Sequence, residues 1–376
     1  MIIALYIITG LYVTMIIAFI YGFYQLKEFE ADNRVIEIGF SVIIPFRNEA
    51  QNLPQLLTSI KNLTYSKEQF EVLFVDDDSE DDSVEIIRQY LNDSGINYQI
   101  LSNQRSSNSP KKDAIKTAIQ HAQFDWILTT DADCILPTEW LSTFDSFIQQ
   151  KSSQMIVGPV SYASIDYSFS EHFQILDFLS LQGSTMGGFG IGKPFLCNGA
   201  NLAYKKESFL NLHGFDGNDQ IASGDDIFLF EKFVKKYPDQ VHFLKSTSAL
   251  VTTSPLKSWK EVIQQRTRWA AKSSSYSLLF AKLVGLLVFL MNLSMIVSFL
   301  LLLWNRQNFM VFAIVCLLKV AVDEQLISAT SHFYRGKQKK LRDFGFASIL
   351  YPFFSVYIAG RSIFVKYTWK GRKFKK

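Results

Sequence analysis

The chain has 376 residues, of which 48% are hydrophobic and 19% charged, and its formal net charge is +3. This length allows one large domain or two ordinary ones, and no motif supports a nucleic-acid partner, so we expect none. A hydrophobic share this high beside so many charges predicts that the apolar residues are concentrated in membrane segments. The three cysteines, Cys134, Cys197 and Cys316, show no metal-ligand spacing and fit a reduced compartment.

The first apolar block covers residues 1–24 and contains no charge. It is long enough to cross a hydrocarbon core of roughly 30 Å as a helix. Because it lacks a basic start and a small-residue cleavage site, we interpret it as an uncleaved anchor. The second block, residues 283–304, contains a single polar amide, Asn292. It also predicts a membrane span.

Two further apolar blocks are less uniform. Residues 310–332 are interrupted by Lys319, Asp323 and Glu324, and the four-residue spacing of Lys319 and Asp323 predicts an ion pair on one helical face. Residues 346–364 contain a proline, a glycine and an arginine. We interpret this last block as membrane-associated, with a re-entrant path left open.

Basic segments at residues 335–342 and 366–376 flank the last block on both sides. The positive-inside tendency assigns both segments to the cytoplasm, so one of the four blocks is partial or interfacial, and we favour the last. The sequence therefore predicts a multi-pass protein of the cell (inner) membrane with its soluble part in the cytoplasm. The predicted boundaries are an anchor at 1–24, a soluble domain at 38–272, and a membrane region with a basic tail at 277–376.

The first half of the soluble domain alternates between strand and helix patterns. In chain order the predicted strands and helices occupy residues 40–46, 48–63, 70–79, 82–93, 97–102, 111–122 and 124–133. Such alternation predicts an α/β fold with a mostly parallel sheet, in which ligands bind outside the carboxyl ends of the strands.

Polar clusters at residues 45–49, 76–79 and 131–133 all fall at these strand ends, so we expect them at one edge of the sheet. Aspartates at such positions are often only turn formers or helix caps. However, Asp131 and Asp133 stand two residues apart, and a second acidic cluster follows another strand, so the carboxylates repel one another unless a cation lies between them. Mg²⁺ binds one or two carboxylates together with substrate phosphates. The pattern suggests a metal-bound diphosphate.

Six short motifs between residues 40 and 269 resemble those of the family 2 glycosyltransferases, in the order that the family shows. They are "SVIIPFRNEAQNL", "VDDDSEDDS", "TTDADC" (the D-x-D), "NGANLAYKKESF" with "GFDG", "SGDDIFL" (an E-D motif) and "QQRTRW" (the Q-x-x-R-W). A D-x-D alone occurs widely by chance, whereas six motifs in order are specific. The resemblance implies a membrane enzyme with the GT-A fold that uses a nucleotide-diphospho sugar.

The resemblance also implies roles for individual residues. Those implied in nucleotide-sugar binding are Pro45, Arg47, Asn48, Glu49, Asp76, Asp77, Lys112, Asp131, Gln265, Arg268 and Trp269. Asp131 and Asp133 would hold Mg²⁺ or Mn²⁺. Asn198, Gly199 and Asn201 would lie on the acceptor side, and Asp226 would act as the general base with Asp225 beside it.

Two positions depart from the family pattern. Asp78 stands where the family often has glycine, and we expect the turn to survive because aspartate tolerates the left-handed conformation better than most residues. Asp225 replaces the glutamate of the E-D motif, which changes the fine geometry. The second acid, Asp226, is present.

Each role has a simpler alternative. Asp226 could cap a helix, Trp269 could be an interfacial anchor, and Lys111 and Lys112 could be solvated charges. Residues 183–193 are rich in glycine, but a proline follows the lysine and a phosphate-binding loop is not completed. We therefore predict a flexible loop there.

The resemblance implies an inverting, metal-dependent transfer of a sugar, by default from a UDP-sugar, to a membrane lipid, a lipid-linked acceptor or a glycan. A processive polysaccharide synthase of the same family is the alternative, although the membrane segments are few for a polymer channel. The rival functions of other classes are a non-catalytic membrane scaffold, an aspartyl phosphotransferase and a transporter.

Overall fold

The computed structural model describes residues 1–32, 35–163, 168–218, 223–273, 275–335, 343–364, 367–369 and 372–374. The helices are α1 Ile2–Gln25, α2 Leu53–Lys61, α3 Ser83–Leu91, α4 Pro110–His121, α5 Trp140–Gln150, α6 Phe169–Gly190, α7 Lys206–Asn211, α8 Asp225–Lys236, α9 Trp259–Ser273, α10 Leu279–Trp304, α11 Phe309–Arg335 and α12 Phe344–Phe364. The strands are β1 Phe40–Phe46, β2 Phe70–Asp76, β3 Asn97–Ser102, β4 Trp126–Thr129, β5 Cys134–Ile135, β6 Met155–Val157, β7 Val160–Tyr162, β8 Leu202–Lys205, β9 Val241–Phe243, β10 Val251–Thr253, β11 Tyr367–Trp369 and β12 Arg372–Phe374.

The chain forms two compact units. The sheet unit comprises Lys27–Ala163 and Leu196–Ser254, and the helical unit comprises Met1–Leu26, Ser164–Phe195 and Pro255–Lys376. Helices α6 and α9 thus group with the long apolar helices, although the sequence pattern predicts them inside the soluble domain at 38–272. The reason is that α6 packs on α1 and α11, and α9 packs on α12.

The sheet unit is built on a seven-stranded sheet in the order β3-β2-β1-β4-β8-β6-β9. The strands β1 to β4 run parallel to one another, β8 runs antiparallel to both β4 and β6, and β6 is parallel to β9. This arrangement is the predicted α/β fold with a mostly parallel sheet. Strands β1 and β2 lie in the sheet interior, where their β-branched and aromatic side chains are almost wholly buried.

The strand register aligns the polar strand ends. Phe46 of β1 lies beside Asp76 of β2, Asp76 lies beside Ser102 of β3, and the residue after β4, Thr130, donates its N–H to the carbonyl of Ile43. The carboxyl ends of four parallel strands therefore meet at one edge of the sheet, as the sequence pattern predicts. Because β8 is antiparallel to β4, the residues that precede β8 also reach this edge.

Among the described residues, three helices of the helical unit are long and apolar enough to cross a membrane: α1, α10 and α12. The last of them is a single continuous helix of 21 residues with Pro352 inside it. Helix α11 has 27 residues and contains the predicted ion pair, in which Lys319 Nζ lies 2.5 Å from Asp323 Oδ2. The candidate spans α1, α10 and α12 indicate membrane association, and α11 is not among the candidate spans of the described residues.

The prediction of a flexible loop at residues 183–193 is wrong for most of that segment, because helix α6 continues to Gly190. Its glycines lie where two helices touch. A Cβ atom added to Gly190 would lie 1.8 Å from the carbonyl oxygen of Gly22, and one added to Gly187 would lie 2.4 Å from the carbonyl oxygen of Phe19. Small residues on one helix face allow the backbones of α1 and α6 to approach closely, so here glycine is a packing residue.

This contact predicts a difference between two glycines of the same helix. A Cβ at Gly22 would lie 2.1 Å from the Gly187 oxygen, whereas one at Gly10 would have nothing within 4 Å. We expect Gly22→Ala to lower the free energy of unfolding by about 1–3 kcal/mol through overpacking. Thermal unfolding in detergent would measure the loss, and Gly10→Ala is the matched control that should show none. Equal melting temperatures for the two variants would contradict the close packing of α1 on α6.

Candidate active site

The turns that follow β1 and β2 are tied together by side chains. The Arg47 guanidinium donates to the carbonyl oxygens of Asp77 and Asp78 at 2.5 and 2.6 Å. Asn48 adopts a positive φ of 52°, and its Oδ1 accepts the N–H of Glu80 at 2.8 Å. Arg47 and Asn48, both predicted to shape the nucleotide pocket, thus also define the backbone of the neighbouring turn.

The aspartates after β2 are held by the same turn. Asp78 has a φ of 60°, which confirms that aspartate takes the left-handed conformation in place of glycine. Asp76 Oδ1 accepts the N–H of Ser79 at 3.0 Å. The Asp77 carboxylate, which is 5% exposed, accepts a hydrogen bond of 2.7 Å from Asn103 Nδ2.

Other predicted pocket residues lie beside this turn. Pro45 is the residue before the end of β1. The carboxylate of Glu49 accepts from Asn52 Nδ2 at 2.6 Å, and the Glu49 N–H donates to Ser83 Oγ at 2.8 Å. Arg105, which the sequence analysis does not single out, lies 3.4 Å from the Asp77 carboxylate.

The D-x-D segment meets helix α4 through a lysine. Lys111 Nζ lies 2.6 Å from Asp131 Oδ1 and 3.2 Å from Asp225 Oδ2, and the side chain of Lys111 is 18% exposed. Burial lowers the pKa of Lys111, but the carboxylates of Asp131, Asp225 and Asp226 raise it, and the balance lies above the usual value of a lysine. Lys111 is therefore a fixed cation among three carboxylates.

Two of these carboxylates begin helix α8. The cap position belongs to Gly224, whose φ is 84°, so Asp226 stands in the first turn rather than at the cap. Its Oδ2 accepts the N–H of Gly199 at 3.3 Å and its Oδ1 accepts the N–H of Ile227 at 2.7 Å. The partial positive charge at the start of a helix favours the ionised form of a carboxylate.

Gly199 brings the segment before β8 against α8. A Cβ at this position would lie 3.1 Å from Asp226 Cβ, 3.4 Å from Asp225 Oδ2 and 3.6 Å from Lys111 Nζ. The Gly199 carbonyl accepts from Thr129 Oγ1 at 2.9 Å, at the end of β4. The absence of a side chain therefore lets three motifs meet within a few ångströms. Asn198 accepts the N–H of Ala200 at 3.0 Å and shapes this turn.

Asn201 is a correction to the predicted acceptor side. It is fully buried, its Nδ2 donates to the carbonyls of Pro159 and Ala249 at 2.8 Å each, and its Oδ1 accepts from Trp140 Nε1 at 3.0 Å. Its side chain joins helix α5 to the segments that precede β7 and β10, and it presents no surface to a ligand. We therefore remove Asn201 from the candidate site.

Lys112 is a second correction. It is 1% exposed, and its Nζ donates to the carbonyl of Asn218 at 2.6 Å and lies 5.1 Å above the centre of the Phe228 ring. The ammonium beside the D-x-D belongs to Lys111 instead. Both lysines stand next to each other in the first turn of α4. The apolar periodicity of the helix does not assign either of them to the site, so the sequence pattern contains no signal that distinguishes them.

The two aspartates of the D-x-D, Asp131 and Asp133, carry the oxygen ligands that a hard divalent cation prefers. Asp133 is exposed and Asp131 is 39% exposed, so both can present oxygen ligands. Burial and the charges of Asp133 and Asp131 raise the pKa of Cys134 well above its usual value, which keeps this neighbouring thiol protonated and a poor ligand. Among the described residues no three acidic, histidine or cysteine side chains form a cluster, so a metal here would complete its coordination with phosphate and water.

The Q-x-x-R-W residues Gln265, Arg268 and Trp269 lie on α9, in the helical unit. Arg266, between them, lies 4.2 Å from the centre of the Trp269 ring and donates to Gln265 Oε1. Arg266 thus contacts two residues of the motif, Gln265 and Trp269, within the same helix.

Residues 41–212 match the family described as Glycosyl transferase family 2. The motifs around Asp225 and Trp269 lie beyond the matched residues. Among curated proteins, the chain is 30% identical over 118 residues to the poly(ribitol-phosphate) β-N-acetylglucosaminyltransferase TarS of Staphylococcus aureus, which covers 31% of this chain and 20% of TarS. The chain thus spans only about a fifth of the length of that relative.

Two other relatives extend the comparison. Glycosyltransferase AglE of Haloferax volcanii is 24% identical over 229 residues, which is 61% of this chain and 70% of AglE. The undecaprenyl-phosphate 4-deoxy-4-formamido-L-arabinose transferase of Proteus mirabilis is 33% identical over 117 residues, which is 30% of this chain and 33% of that enzyme.

A solved structure resembles the chain over nearly its whole length. It is the mannosyltransferase PcManGT of Pyrobaculum calidifontis in complex with GDP-Man and Mn²⁺, with a TM-score of 0.56, 14% sequence identity, and coverage of 97% of this chain and 99% of that one. At this identity the likeness establishes the fold. The chain therefore has a GT-A-like α/β fold with a mostly parallel sheet, and residues 41–212 are the part that it shares with Glycosyl transferase family 2.

Proposed function

We propose that the protein is a membrane-bound inverting glycosyltransferase that moves a sugar from a nucleotide-diphospho sugar to a membrane lipid or lipid-linked acceptor. One observation carries the proposal: Lys111, Asp131, Asp225, Asp226 and Gly199 meet at the carboxyl edge of the sheet. They come from three separate motifs and from helix α4, and a scaffold that only kept the fold would have no need to bring them together. The match of residues 41–212 to Glycosyl transferase family 2 supports the same function.

Asp226 is the proposed base. An acceptor hydroxyl is a weak nucleophile at neutral pH, and a carboxylate within hydrogen-bond reach removes its proton as the bond to the anomeric carbon forms. Asp226 is partly exposed and stands in the first turn of α8, where it can be reached by an acceptor. A direct displacement needs this single base and inverts the anomeric carbon.

Lys111 is the proposed cation for the departing nucleoside diphosphate. Its ammonium already neutralises Asp131 and Asp225, and its raised pKa keeps it charged. Asp131 and Asp133 would hold Mg²⁺ or Mn²⁺, which supplies positive charge to the diphosphate when bound. The turn built by Arg47, Asn48 and the carbonyls after β2 would bind the nucleoside.

A lipid acceptor is favoured over a growing polymer. The described chain contains three helices apolar enough to cross a membrane, which are few for a polymer channel. One relative is by name a transferase to undecaprenyl phosphate, although others act by name on poly(ribitol phosphate). We take UDP as the default nucleotide and place the sheet unit in the cytoplasm of a multi-pass membrane protein.

Replacing the proposed base tests the reaction. We expect Asp226→Asn to lower kcat by about 10²–10⁴-fold, the usual contribution of a general base, with little change in donor binding. The assay would follow release of nucleoside diphosphate by the purified protein in nanodiscs with host lipid extract and a panel of nucleotide sugars. Asp93→Asn, at an exposed side chain after α3 and outside the six motifs, is the control and should keep full activity. Equal turnover by the two variants would show that Asp226 is not the general base.

Two lysines of α4 offer a second test. Lys111→Met should lower kcat/KM by about 10²–10³-fold, because a charge that stabilises the leaving group is lost. Lys116→Met, which breaks a surface ion pair with Asp216, should change it by less than about twofold. The raised pKa of Lys111 means that it stays protonated as pH rises, so wild-type activity should show no loss from this group below about pH 10. If both variants behave alike, Lys111 does not contact the diphosphate.

Metal dependence can be measured through donor binding. Calorimetric titration with a nucleoside diphosphate should show tighter binding with Mn²⁺ than with EDTA, and Asp133→Asn should remove most of that difference because it loses a charged oxygen ligand. Asp93→Asn, on the surface after α3, is the control. A metal effect that persists unchanged in Asp133→Asn would place the metal elsewhere.

A further inference from the structure

The helical unit contains a partly open cavity between α6, α11 and α12, whose enclosed volume is about 40 Å³ and whose total empty space, including the part open to solvent, is about 400 Å³. Its apolar lining includes Phe173, Leu176, Ile327 and Phe344. The remainder of the lining is polar and combines charges with hydroxyl groups: Asp177, Ser180, Lys319, Asp323, Ser348 and Tyr351. Buried charged groups are costly unless they are paired and hydrogen-bonded, so their partners have to be accounted for.

The first charge pair of the cavity lies on α11. Lys319, which is 3% exposed, donates to Asp323 Oδ2 at 2.5 Å, and Tyr12 of α1 donates its hydroxyl to Asp323 Oδ1 at 2.7 Å. Lys319 Nζ lies 5.7 Å from the ring centres of Tyr12 and Tyr351. An ammonium has three N–H donors, and one hydrogen-bond acceptor is found for Lys319 among the described residues.

The second pair lies across the cavity on α6. Asp177 Oδ2 accepts from Arg266 Nε of α9 at 2.6 Å, and Asp177 Oδ1 accepts from the Tyr351 hydroxyl at 3.0 Å. Each carboxylate thus has its own cation, so the two pairs together carry no net charge. Each carboxylate oxygen can still accept a further hydrogen bond.

Two hydroxyl groups of the lining remain available. In the part of the chain that the structure describes, the side chains of Ser180 and Ser348 make no hydrogen bond to protein. If the polar residues served only to hold helices together, we would expect them to be packed against one another. Instead a buried ammonium, two carboxylates and two serines line open space.

We propose that this cavity binds the uncharged, hydroxyl-bearing head of a membrane lipid, of the class of a diacylglycerol. A hydroxyl both donates and accepts, so it can donate to Asp177 or Asp323 and accept from Lys319. The apolar wall formed by Phe173, Leu176 and Ile327 would contact the adjoining hydrocarbon. The inference does not depend on the proposed sugar transfer, because it concerns binding alone.

An anionic head is disfavoured by the same residues. A phosphate would face the carboxylates of Asp177 and Asp323, and Lys319 is already paired with one of them. Like charges placed side by side cost several kcal/mol, which corresponds to more than about tenfold in affinity. The cavity therefore selects neutral over anionic lipids.

Photolabelling of the full chain in nanodiscs tests this selection. The probes are a diazirine-bearing diacylglycerol and a phosphatidic acid with the same acyl chains, and labelled peptides are mapped by mass spectrometry. We expect the diacylglycerol to label the segments at 173–180 and 344–351 at least about tenfold more than the phosphatidic acid. Excess unlabelled diacylglycerol should compete and excess phosphatidic acid should not. Equal or stronger labelling by the phosphatidic acid, or no competition, would overturn the proposal.

Adjacent residues of α12 provide matched variants. Ser348→Trp would fill the cavity and should reduce labelling to about a tenth of wild type, which corresponds to about 1.4 kcal/mol. Ile349→Trp is the control, because Ile349 is 63% exposed and does not line the cavity. Unchanged labelling in Ser348→Trp would contradict the site.

A second variant covers the case in which Ser348→Trp does not fold. The double change Lys319→Met with Asp323→Leu removes both members of the pair, so no single buried charge is left behind. We expect it to keep its thermal unfolding transition and to lose the preference for diacylglycerol over phosphatidic acid. A retained preference would show that the pair does not select the ligand.

Discussion

Repulsion between carboxylates at the carboxyl edge of the sheet is the constraint on which the arrangement of the sheet unit depends. Asp131 follows a parallel strand, and Asp225 and Asp226 begin a helix that reaches the same edge. Lys111 lies among them and balances the charge, and Gly199 leaves the room for this contact. A site that concentrates negative charge around one ammonium is suited to a diphosphate that arrives with a divalent cation.

In the helical unit, too, carboxylate charge is balanced by cations, here in apolar surroundings. There two buried ion pairs balance each other: Lys319 with Asp323, and Arg266 with Asp177. Tyrosine hydroxyls from α1 and α12 each donate a hydrogen bond to one of these carboxylates. Through Arg266, the helix that bears Gln265 and Trp269 is joined to α6. The polar groups of this unit therefore connect five helices while leaving space for a neutral ligand.

Several features could be predicted because they follow from local sequence. The strands at residues 40–46 and 97–102, the left-handed turn at Asp78 and the ion pair on α11 have the expected positions. Each depends on periodicity, on the conformational tolerance of one residue type, or on spacing along one helix. The α/β fold with a mostly parallel sheet follows from the alternation of strand and helix patterns, and the resemblance to the family 2 glycosyltransferases implied its GT-A type.

The predictions that the structure corrects have a different origin. Lys111 rather than Lys112 lies beside Asp131, Asn201 is buried among strands, and the glycines of α6 pack against α1 instead of forming a loop. In each case the outcome depends on what another part of the chain places next to the residue. Composition and short-range spacing contain no information about that neighbour.

The sequence by itself determined the α/β fold, the apolar helices and the residue types at the carboxyl edge, because backbone periodicity and hydrophobic pattern act locally. Only the tertiary structure decided which lysine balances the aspartates, which asparagine is inaccessible, and that α6 and α9 belong to the helical unit. Those outcomes arise from contacts between residues far apart in the chain, whose distances are set by packing rather than by sequence separation.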